Sequence, residues 1–453
     1  MFSKQAADEV NHQKKSSEEE PLRKVIAGSM AGNVLEWFDF SSYAFFAAYI
    51  GANFFRTGDT VSGLISTFIV FGVGYVARPL GALYLGAYGD LKGRKATLML
   101  TVTLMAAGTF IICFAPPIGV LGVGATILLF VGRLLQGFSA GGEIGGATSY
   151  LVEKAPADQK IKVVGWLQGT MGISNALSAV IGLAITTFFT DEQVTQWAWR
   201  IPFFIGLLII PVALYIRSKL SETNEFADMQ NNGSEEVRKP IRTLFSSYWK
   251  NMIIAGLMAI VWHVSVYALV IFGPTYYSME ASGLGFTANN AFLASLLGNI
   301  AMIFACVGSA VIAQKIGFRR ALTVAIIVVG VVPIVGLLVL HSAPTLPMLL
   351  IVHVVICVAV SGYAGIIPSG IAQIFPTHVR STGTSLSYNI VGIFFAGMTP
   401  AFMAWATEYT PFSTGIYVAV TALIALVSLP LFLDFITRSG QRPHGNTGIM
   451  SGT

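Results

Sequence analysis

Residues 26–50 read IAGSMAGNVLEWFDFSSYAFFAAYI, an apolar run that is interrupted near its middle by two acidic residues, Glu36 and Asp39. A helix of this length can cross the roughly 30 Å hydrocarbon core of a bilayer, because each residue adds about 1.5 Å. An ionisable side chain inside a membrane is costly, and it usually faces a partner, a water-filled cavity or a substrate path. The run therefore predicts a membrane span with a functional polar face.

The helical spacing of the polar residues traces this face. Asn33, Glu36, Phe40 and Tyr43 follow one another at intervals of three or four residues, so they lie on one side of a helix with Asp39 beside them. We expect this side to line a cavity. The alternative is a buried salt bridge that joins two helices.

The composition of the chain extends this prediction to the whole protein. Hydrophobic residues make up 54% of the 453 residues and charged residues only 11%, and the mean hydropathy is +0.71. Because a soluble globule needs a more charged surface, we expect an all-α integral membrane protein with many spans. Apolar stretches of about 20 residues mark twelve transmembrane helices. Their predicted extents are 26–50, 62–87, 96–115, 119–146, 163–188, 199–217, 251–278, 288–313, 321–340, 347–372, 383–405 and 412–436.

The distribution of lysine and arginine predicts the orientation of the chain. Basic residues concentrate in the tails and in the loops on one side of the spans, whereas the other side has Arg56 and, at a helix edge, Arg200. By the positive-inside rule both termini are cytoplasmic, which requires an even number of spans. The pI near 9.0 reflects this topology, so we do not expect nucleic-acid binding. Cys113, Cys306 and Cys357 lie in apolar spans, where neither a disulfide nor a metal cluster is expected.

Two pairs of similar loops indicate an internal repeat. GAYGDLKGRK at residues 86–95 resembles AVIAQKIGFR at residues 310–319, which begins 224 residues later. EKAPADQK at residues 153–160 resembles QIFPTHVR at residues 373–380, at an offset of 220 residues. Two nearly equal offsets argue for a duplicated six-helix unit, the usual plan of secondary transporters, which bind substrate between the halves. The predicted segments are an N-terminal tail at 1–24, six-helix halves at 25–217 and 251–437, a cytoplasmic linker at 218–250 and a C-terminal tail at 438–453.

Residues 86–95 also resemble the loop motif of the major facilitator superfamily, with its glycine, aspartate, glycine and paired basic residues. RLLQGFSAGGE at residues 133–143 resembles the superfamily's motif in the fourth span. Together with NVLEWFDF at 33–40, WRIPF at 199–203 and FPTHVRSTG at 375–383, it is similar to the metabolite:proton symporters, which carry 2-oxoglutarate, citrate, shikimate, proline or betaine. The resemblance covers nearly the whole chain. It implies two pseudo-symmetric six-helix halves and a carrier driven by a proton gradient in a bacterial inner membrane.

Three features depart from the family pattern. Gln314 and Gln373 stand where the family tends to have acids, and Phe318 replaces an arginine. Cytoplasmic ion pairing is therefore expected to be stronger in the first half. The tail after Arg438 is short and rich in glycine and serine, without the heptads of osmosensing betaine carriers, which weakens the case for a betaine substrate.

Two arginines at membrane depth, Arg78 and Arg133, could anchor an organic anion, because a guanidinium stays charged and donates two parallel hydrogen bonds to a carboxylate. The alternative is that each arginine only neutralises an acid of the first span. His263 could titrate near neutral pH, although a lone histidine among apolar residues is more often a packing group. The candidate substrate-binding residues are Asn33, Tyr43, Arg78, Arg133, Gln136, His263 and Tyr363. The aromatic residues that could frame a quaternary ammonium, or serve only in packing, are Trp37, Trp262, Tyr267 and Tyr363.

Proton coupling needs a group that is charged in one state and neutral in another. If a substrate carboxylate takes Arg133 from an acidic partner, that acid is left without its counter-charge and binds a proton, so substrate and proton load together. Asp39 and Glu36 are the leading candidate proton carriers. Glu143 is the third, because it lies nearer the cytoplasmic end of the fourth span.

Charged residues at the predicted cytoplasmic ends of helices are candidate gate residues. Charge pairs there would close the cytoplasmic side when the cavity opens outward. Since exposed pairs are individually weak, only the whole set can matter. The set is Asp90, Arg94, Lys95, Glu153, Glu222 and Arg380.

The sequence thus predicts a proton-coupled symporter that imports a small carboxylate-bearing metabolite by alternating access. A carrier of proline or glycine betaine is the alternative within transport, and a non-transporting sensor on the same fold is the alternative from another class. We do not expect an enzyme, because the sequence has no metal-ligand cluster, nucleophile elbow or phosphate loop. The expected partners are an organic acid or zwitterion as substrate, protons and the lipid bilayer. We expect a monomer that uses the proton gradient and no cofactor or metal.

Overall fold

The computed structural model describes residues 22–55, 59–92, 94–141, 160–218 and 240–440. Twelve long helical segments make up most of these residues. They are α1 (Leu22–Phe45, continued by Ala47–Phe54), α2 (Thr60–Lys92), α3 (Arg94–Phe114), α4 (Val123–Gly141), α5 (Lys160–Phe188), α6 (Ile201–Ser218), α7 (Trp249–Ser265, Val266–Ile271 and Gly273–Ser278), α8 (Ala288–Ile316), α9 (Phe318–Ser342), α10 (Leu346–Ala364 and Ile367–Gln373), α11 (Thr377–Gly392, Ile393–Gly397 and Thr399–Thr407) and α12 (Ser413–Gly440). Short helices at Ile118–Leu121, Asp191–Gln196 and Pro240–Ser247 and single turns at Ala198–Arg200 and Glu280–Ser282 lie between them.

Nine of these helices, α2, α4, α5 and α7–α12, are long and apolar enough to cross a membrane. Shorter apolar stretches, Met99–Phe114 and Ala198–Pro211, account for the spans of α3 and α6. The first span, predicted at 26–50, corresponds to α1 and extends from Leu22 to Phe54. No strand occurs within the described ranges, which confirms the all-α class. The twelve long helical segments correspond one to one to the twelve predicted spans.

Helix contacts connect α1–α6 within one group of six helices and α7–α12 within another. In the first group α4 packs against α2 and α3, α1 packs against α5, and α6 packs against α3. In the second group α10 packs against α8 and α9, and α7 and α9 both pack against α12. The main contacts between the groups are α5 with α8 and α2 with α11. This arrangement agrees with the duplicated six-helix plan that the loop repeats predict.

Three helices of the second half are interrupted, and each interruption lies just before a proline. Proline has no N–H, so the carbonyl four residues earlier loses its helical partner. The wide π-helical turn Val266–Ile271 precedes Pro274 in α7, and a similar turn, Ile393–Gly397, precedes Pro400 in α11. α10 is interrupted before Pro368. Such broken helices are typical of transporters at the depth where substrate binds.

Glycine allows the closest helix contacts around the centre of the bundle. A Cβ atom at Gly137 of α4 would lie 1.9 Å from the carbonyl oxygen of Gly74 in α2. Between the halves, a Cβ atom at Gly397 of α11 would lie 2.9 Å from the Cβ atom of Tyr75 and 3.1 Å from Gly72 Cα, both in α2. Small residues let helix backbones approach in this way within a membrane. As a result, α2 is held close to both α4 and α11.

Candidate functional site: a buried charge cluster in the first half

The two acids of α1 point to different neighbours. Both side chains are buried, with exposed fractions of 1% for Glu36 and 4% for Asp39. Three residues advance an α-helix by about 300°, so the two carboxylates diverge by about 60° around the helix axis. Glu36 faces α2, whereas Asp39 faces α3 and α4. The acidic pair is therefore divided between two partners.

Glu36 forms a buried ion pair with Arg78 of α2. Arg78 Nη2 lies 3.2 Å from Glu36 Oε1, and neither side chain is more than 2% exposed. The guanidinium carbon of Arg78 also lies 4.1 Å from the ring centroid of Tyr75 and 4.6 Å from that of Phe40. An aromatic face attracts a cation most strongly where water is excluded. For Glu36, the structure thus adopts the salt-bridge alternative that the sequence left open.

Arg133 of α4 lies in a cage of aromatic rings. Its guanidinium carbon is 4.2 Å from the ring centroid of Tyr43, 4.5 Å from that of Phe40 and 4.8 Å from that of Phe71. Arg133 Nη1 donates a 2.7 Å hydrogen bond to Gln136 Oε1. Arg133 Nε and Nη2 are buried and have no hydrogen-bond partner in the described part of the protein. The aromatic cage thus holds a guanidinium that keeps unused donors.

Asp39 accepts hydrogen bonds from two neutral side chains. Thr109 Oγ1 of α3 donates to Asp39 Oδ1 at 3.1 Å, and Gln136 Nε2 of α4 donates to Asp39 Oδ2. Gln136 Nε2 also lies 3.1 Å from Thr109 Oγ1. The described residues contain no direct ion pair between Asp39 and Arg133, and Gln136 connects the two charges instead.

The second half closes over this cluster with aromatic and neutral polar groups. Trp37 of α1 lies 5.9 Å from Trp262 and 6.1 Å from Tyr267, centroid to centroid, and Tyr267 shares a hydrogen bond with Tyr75. His263 Nδ1 contacts the carbonyl oxygen of Ala259 at 2.8 Å, which makes Nδ1 the donor. The His263 ring lies 4.2 Å from the Tyr388 ring, centroid to centroid, at a tilt of 46°. Within the described ranges His263 Nε2 has no partner. His263 therefore offers one unused acceptor.

Other candidate residues take positions at helix contacts. Asn33 Nδ2 donates to Thr170 Oγ1 at 2.6 Å and so ties α1 to α5. The Tyr43 hydroxyl donates to the Thr67 carbonyl at 3.2 Å while its ring contacts Arg133. The Tyr363 hydroxyl donates to the Met258 carbonyl at 2.7 Å, which connects α10 to α7. The predicted polar face of α1 thus turns toward α2, α4 and α5.

Among the predicted gate residues, the structure describes the side chain of Arg380. Arg380 Nε lies 3.2 Å from the Ala372 carbonyl oxygen and 3.4 Å from that of Phe375, near the end of α10. The other five predicted gate residues lie outside the described residues or side chains: Asp90, Arg94, Lys95, Glu153 and Glu222. The candidate proton carrier Glu143 also lies outside the described residues. The three cysteines, Cys113, Cys306 and Cys357, are free and buried.

Sequence reasoning missed three neutral members of the site. Thr109 donates a hydrogen bond to Asp39, Phe71 completes the cage around Arg133, and the Tyr388 ring contacts the His263 ring. Threonine and aromatic residues are common in apolar spans, so their presence alone gives no signal. The helical spacing could have predicted that Thr109 is buried. Thr109 lies four residues after Met105 and four before Cys113, and all three are on the buried side of α3.

Comparison with known proteins identifies the family of this chain. Residues 30–393 match the family model of the Major Facilitator Superfamily. The chain is 33% identical over 401 residues to the citrate-proton symporter of Klebsiella pneumoniae, covering 88% of this chain and 89% of the relative. It is 28% identical to the proline/betaine transporter of Escherichia coli strain K12, covering 90% and 82%.

A solved structure with the same fold is that of a D-xylose-proton symporter. It aligns with a TM-score of 0.71 at 14% identity, covering 93% of this chain and all of the other. This agreement concerns the fold, since so low an identity carries no information about substrate. With the match to the family model over most of the sequence, it leads to one conclusion: the chain belongs to the Major Facilitator Superfamily.

Proposed function

We propose that this protein is a proton-coupled symporter that imports a small carboxylate-bearing metabolite, with Arg133 as the anchor for a substrate carboxylate and Asp39 as the proton carrier. The family and both relatives support transport of a small metabolite, and the citrate-proton relative supports coupling to protons. The relatives and the fold are those of transporters, so we infer transport with no covalent change in the substrate.

The observation that carries the substrate proposal is the incomplete bonding of Arg133. A buried guanidinium normally forms hydrogen bonds with most of its five N–H groups, because leaving them unpaired costs free energy. Here Nε and Nη2 lack partners in the described part of the protein, while three aromatic faces stabilise the positive charge. Nε and Nη2 lie on one edge of the guanidinium, and that edge matches the two oxygens of a carboxylate.

The proton proposal follows from the position of Asp39. Its carboxylate is buried beside Arg133 and is held by neutral donors, so its charge depends on the field of the arginine. A substrate carboxylate that binds Arg133 neutralises this field, which favours protonation of Asp39. Glu36 differs, because its direct ion pair with Arg78 keeps a counter-charge at 3.2 Å. We therefore assign the coupled proton to Asp39 before Glu36.

A zwitterion is the second candidate substrate, on the basis of the aromatic groups between the halves. Trp37, Trp262 and Tyr267 form edge-on and tilted pairs 5.9 and 6.1 Å apart. A quaternary ammonium group would bind such faces, while its carboxylate could still use Arg133. The same site would then suit glycine betaine, and it would suit proline through its cationic secondary ammonium group.

We also propose the membrane placement given by the charge distribution. Both termini would be cytoplasmic in a bacterial inner membrane, and the carrier would act as a monomer. The apolar helices and the bacterial relatives support a multi-pass membrane protein.

The decisive experiment is an uptake screen with purified protein in proteoliposomes under an imposed pH gradient. The substrates are mono-, di- and tricarboxylates, shikimate, proline and glycine betaine. We expect at least one carboxylate to accumulate when the outside is acidic, and not when a protonophore is added. Accumulation that persists with the protonophore would contradict proton coupling.

The substrate anchor is tested with Arg133→Lys, which keeps the charge but loses the two-pronged contact. The affinity for the transported compound should fall by about 1–3 kcal/mol, the value of a charged hydrogen bond. Arg200→Lys is the matched control, because Arg200 binds backbone carbonyls of Cys113 and Ala115 instead of belonging to the cluster. Unchanged affinity in Arg133→Lys, or an equal loss in both variants, would rule out a specific two-pronged contact at Arg133.

A further inference from the structure

Among the described residues, the hydrogen bonds that connect Arg133 with Asp39 all pass through Gln136. It lies one helical turn after Arg133 in α4 and is fully buried. Its carbonyl oxygen accepts from Arg133 Nη1 at 2.7 Å, and its amide nitrogen donates to Asp39 Oδ2. The side-chain amide thus joins a cation to an anion.

The donors and acceptors permit one orientation of this amide while Asp39 is charged. A guanidinium has only donors and a carboxylate has only acceptors, so the amide must turn its oxygen to Arg133 and its nitrogen to Asp39. Protonation at Asp39 Oδ2 places a new O–H donor against the amide N–H₂ group. The conflict is relieved when the amide rotates by half a turn, so that its oxygen accepts from the new O–H. The N–H₂ group then faces Arg133, to which it cannot donate.

We propose that Gln136 is a positioning residue that couples the protonation of Asp39 to the availability of Arg133. This inference rests on the proposed function and specifies the order of its steps. When Asp39 is charged, Gln136 occupies Arg133 Nη1. When Asp39 is protonated, the rotated amide releases Nη1, so that Arg133 presents Nη1 as well as Nε and Nη2 to a substrate carboxylate. Proton binding therefore prepares the anion site before the substrate arrives.

The other groups around Asp39 define the alternatives. Asp39 itself is approached by Cys113 of α3 and by Gly206 of α6, which has no side chain. The charged and titratable neighbours of Arg133 besides Asp39 are Arg78 and Tyr75 of α2 and Tyr43 of α1, and Glu36 pairs with Arg78. A second route would leave Gln136 unturned. A proton on Asp39 Oδ1 could be donated to Thr109 Oγ1, whose own hydrogen can go to the Met105 carbonyl at 3.0 Å. The two routes predict different effects of substituting Gln136 and Thr109.

The test uses infrared titration of the whole protein in lipid, with arginine labelled by ¹³C at the guanidinium carbon. No substrate is added. Arg133→Lys identifies the band of Arg133, and Asp39→Asn identifies the protonated carboxyl band of Asp39. In the unmodified protein both bands should change at the same pH. In Gln136→Met, which has similar volume but no amide, Asp39 should still titrate while the Arg133 band shift falls to less than half.

Thr109→Val is the matched control, since it removes the other hydrogen bond to Asp39 and leaves the amide bridge. We expect the two bands to remain linked in this variant. Gln136→Asn, whose shorter amide cannot reach both charges, provides the same test if Gln136→Met does not fold. A full Arg133 band shift in the Gln136 variants, or a loss of linkage in Thr109→Val alone, would overturn the role of Gln136. Because no substrate is present, these outcomes are independent of the uptake screen that judges the proposed function.

Discussion

The two halves of the bundle share a helical plan but differ in buried chemistry. Among the described residues, the buried acidic and arginine side chains are Glu36, Asp39, Arg78 and Arg133. All four lie in the first half. The described part of the second half instead buries two histidines, His263 and His353, and both are fully buried.

The histidine cluster of the second half illustrates the difference. His353 of α10 lies 220 residues after Arg133 of α4, which is the offset of the loops that follow these two helices. Its Nδ1 lies 2.9 Å from the Tyr277 hydroxyl, and its Nε2 lies 3.5 Å from Cys357 Sγ. The Tyr277 contact ties α10 to the last segment of α7, Gly273–Ser278, and the Cys357 contact lies within α10. The duplicated fold thus places a hydrogen-bonded helix contact where the first half has a charged site.

The largest effect is expected from removing the charge of Asp39, which lies in the charged site of the first half. Asp39→Asn keeps the side-chain volume and most hydrogen bonds but cannot bind a proton. Accumulation driven by a pH gradient should be lost, while exchange of substrate between preloaded vesicles and medium should continue. His353→Gln in the second half is the control and should retain accumulation. The assignment fails if Asp39→Asn and Glu36→Gln both concentrate substrate against its gradient.

The next largest effect concerns stability. Glu36→Gln leaves Arg78 charged and buried without its anion, and breaking one side of a buried pair costs about 3–5 kcal/mol. The exposed pair of Asp434 and Arg438 in α12, whose side chains are 43% and 72% exposed, provides the contrast. Asp434→Asn should change stability by less than about 0.5 kcal/mol. Denaturant unfolding in detergent measures both, and equal losses would show that burial of the first pair does not matter.

Much of this arrangement is readable from the sequence, and the reasons for the remainder are geometric. The span of α1, the burial of its acids and the presence of two arginines at the same depth follow from length and hydropathy. The choice of Glu36 as the partner of Arg78 does not follow from the sequence. Glu36 and Asp39 differ by only about 60° around the helix, so either acid could face Arg78. The bridging role of Gln136 depends on which face of α4 meets α1. That rotation is set by the close contact of Gly137 with Gly74, which pattern analysis does not resolve.

A smaller effect is expected at the predicted cytoplasmic gate. Asp90 lies near the end of α2, whereas the corresponding position near the end of α8 is Gln314, which carries no charge. Asp90→Asn should therefore shift the resting population toward the inward-facing form more than Gln314→Ala does, and Gln314→Asp should favour the outward-facing form. Distances between spin labels on the loops α2–α3 and α8–α9 measure these populations. Equal shifts from Asp90→Asn and Gln314→Ala would show that the charge difference between positions 90 and 314 does not affect the gate.

The smallest effect distinguishes the caps of α2 and α8, the second helix of each half. Asp59 accepts hydrogen bonds from the Ser62 backbone N–H at 2.8 Å and the Ser62 hydroxyl at 2.7 Å, and these bonds lower the pKa of Asp59. The Thr287 hydroxyl accepts from the Asn290 N–H at 3.2 Å and does not titrate.

A carboxylate whose pKa is lowered by folding stabilises the protein above its unfolded pKa of about 4 and loses this contribution as the pH falls through the lower folded value. Asp59→Ala should therefore lower the melting temperature at pH 7 but not in strong acid. Thr287→Ala should cost about 1 kcal/mol at both pH values, since a neutral cap contributes independently of pH. Thermal unfolding of the two variants at both pH values makes the comparison. A penalty for Asp59→Ala that persists in acid would mean that the side chain caps α2 through its shape and not through its charge.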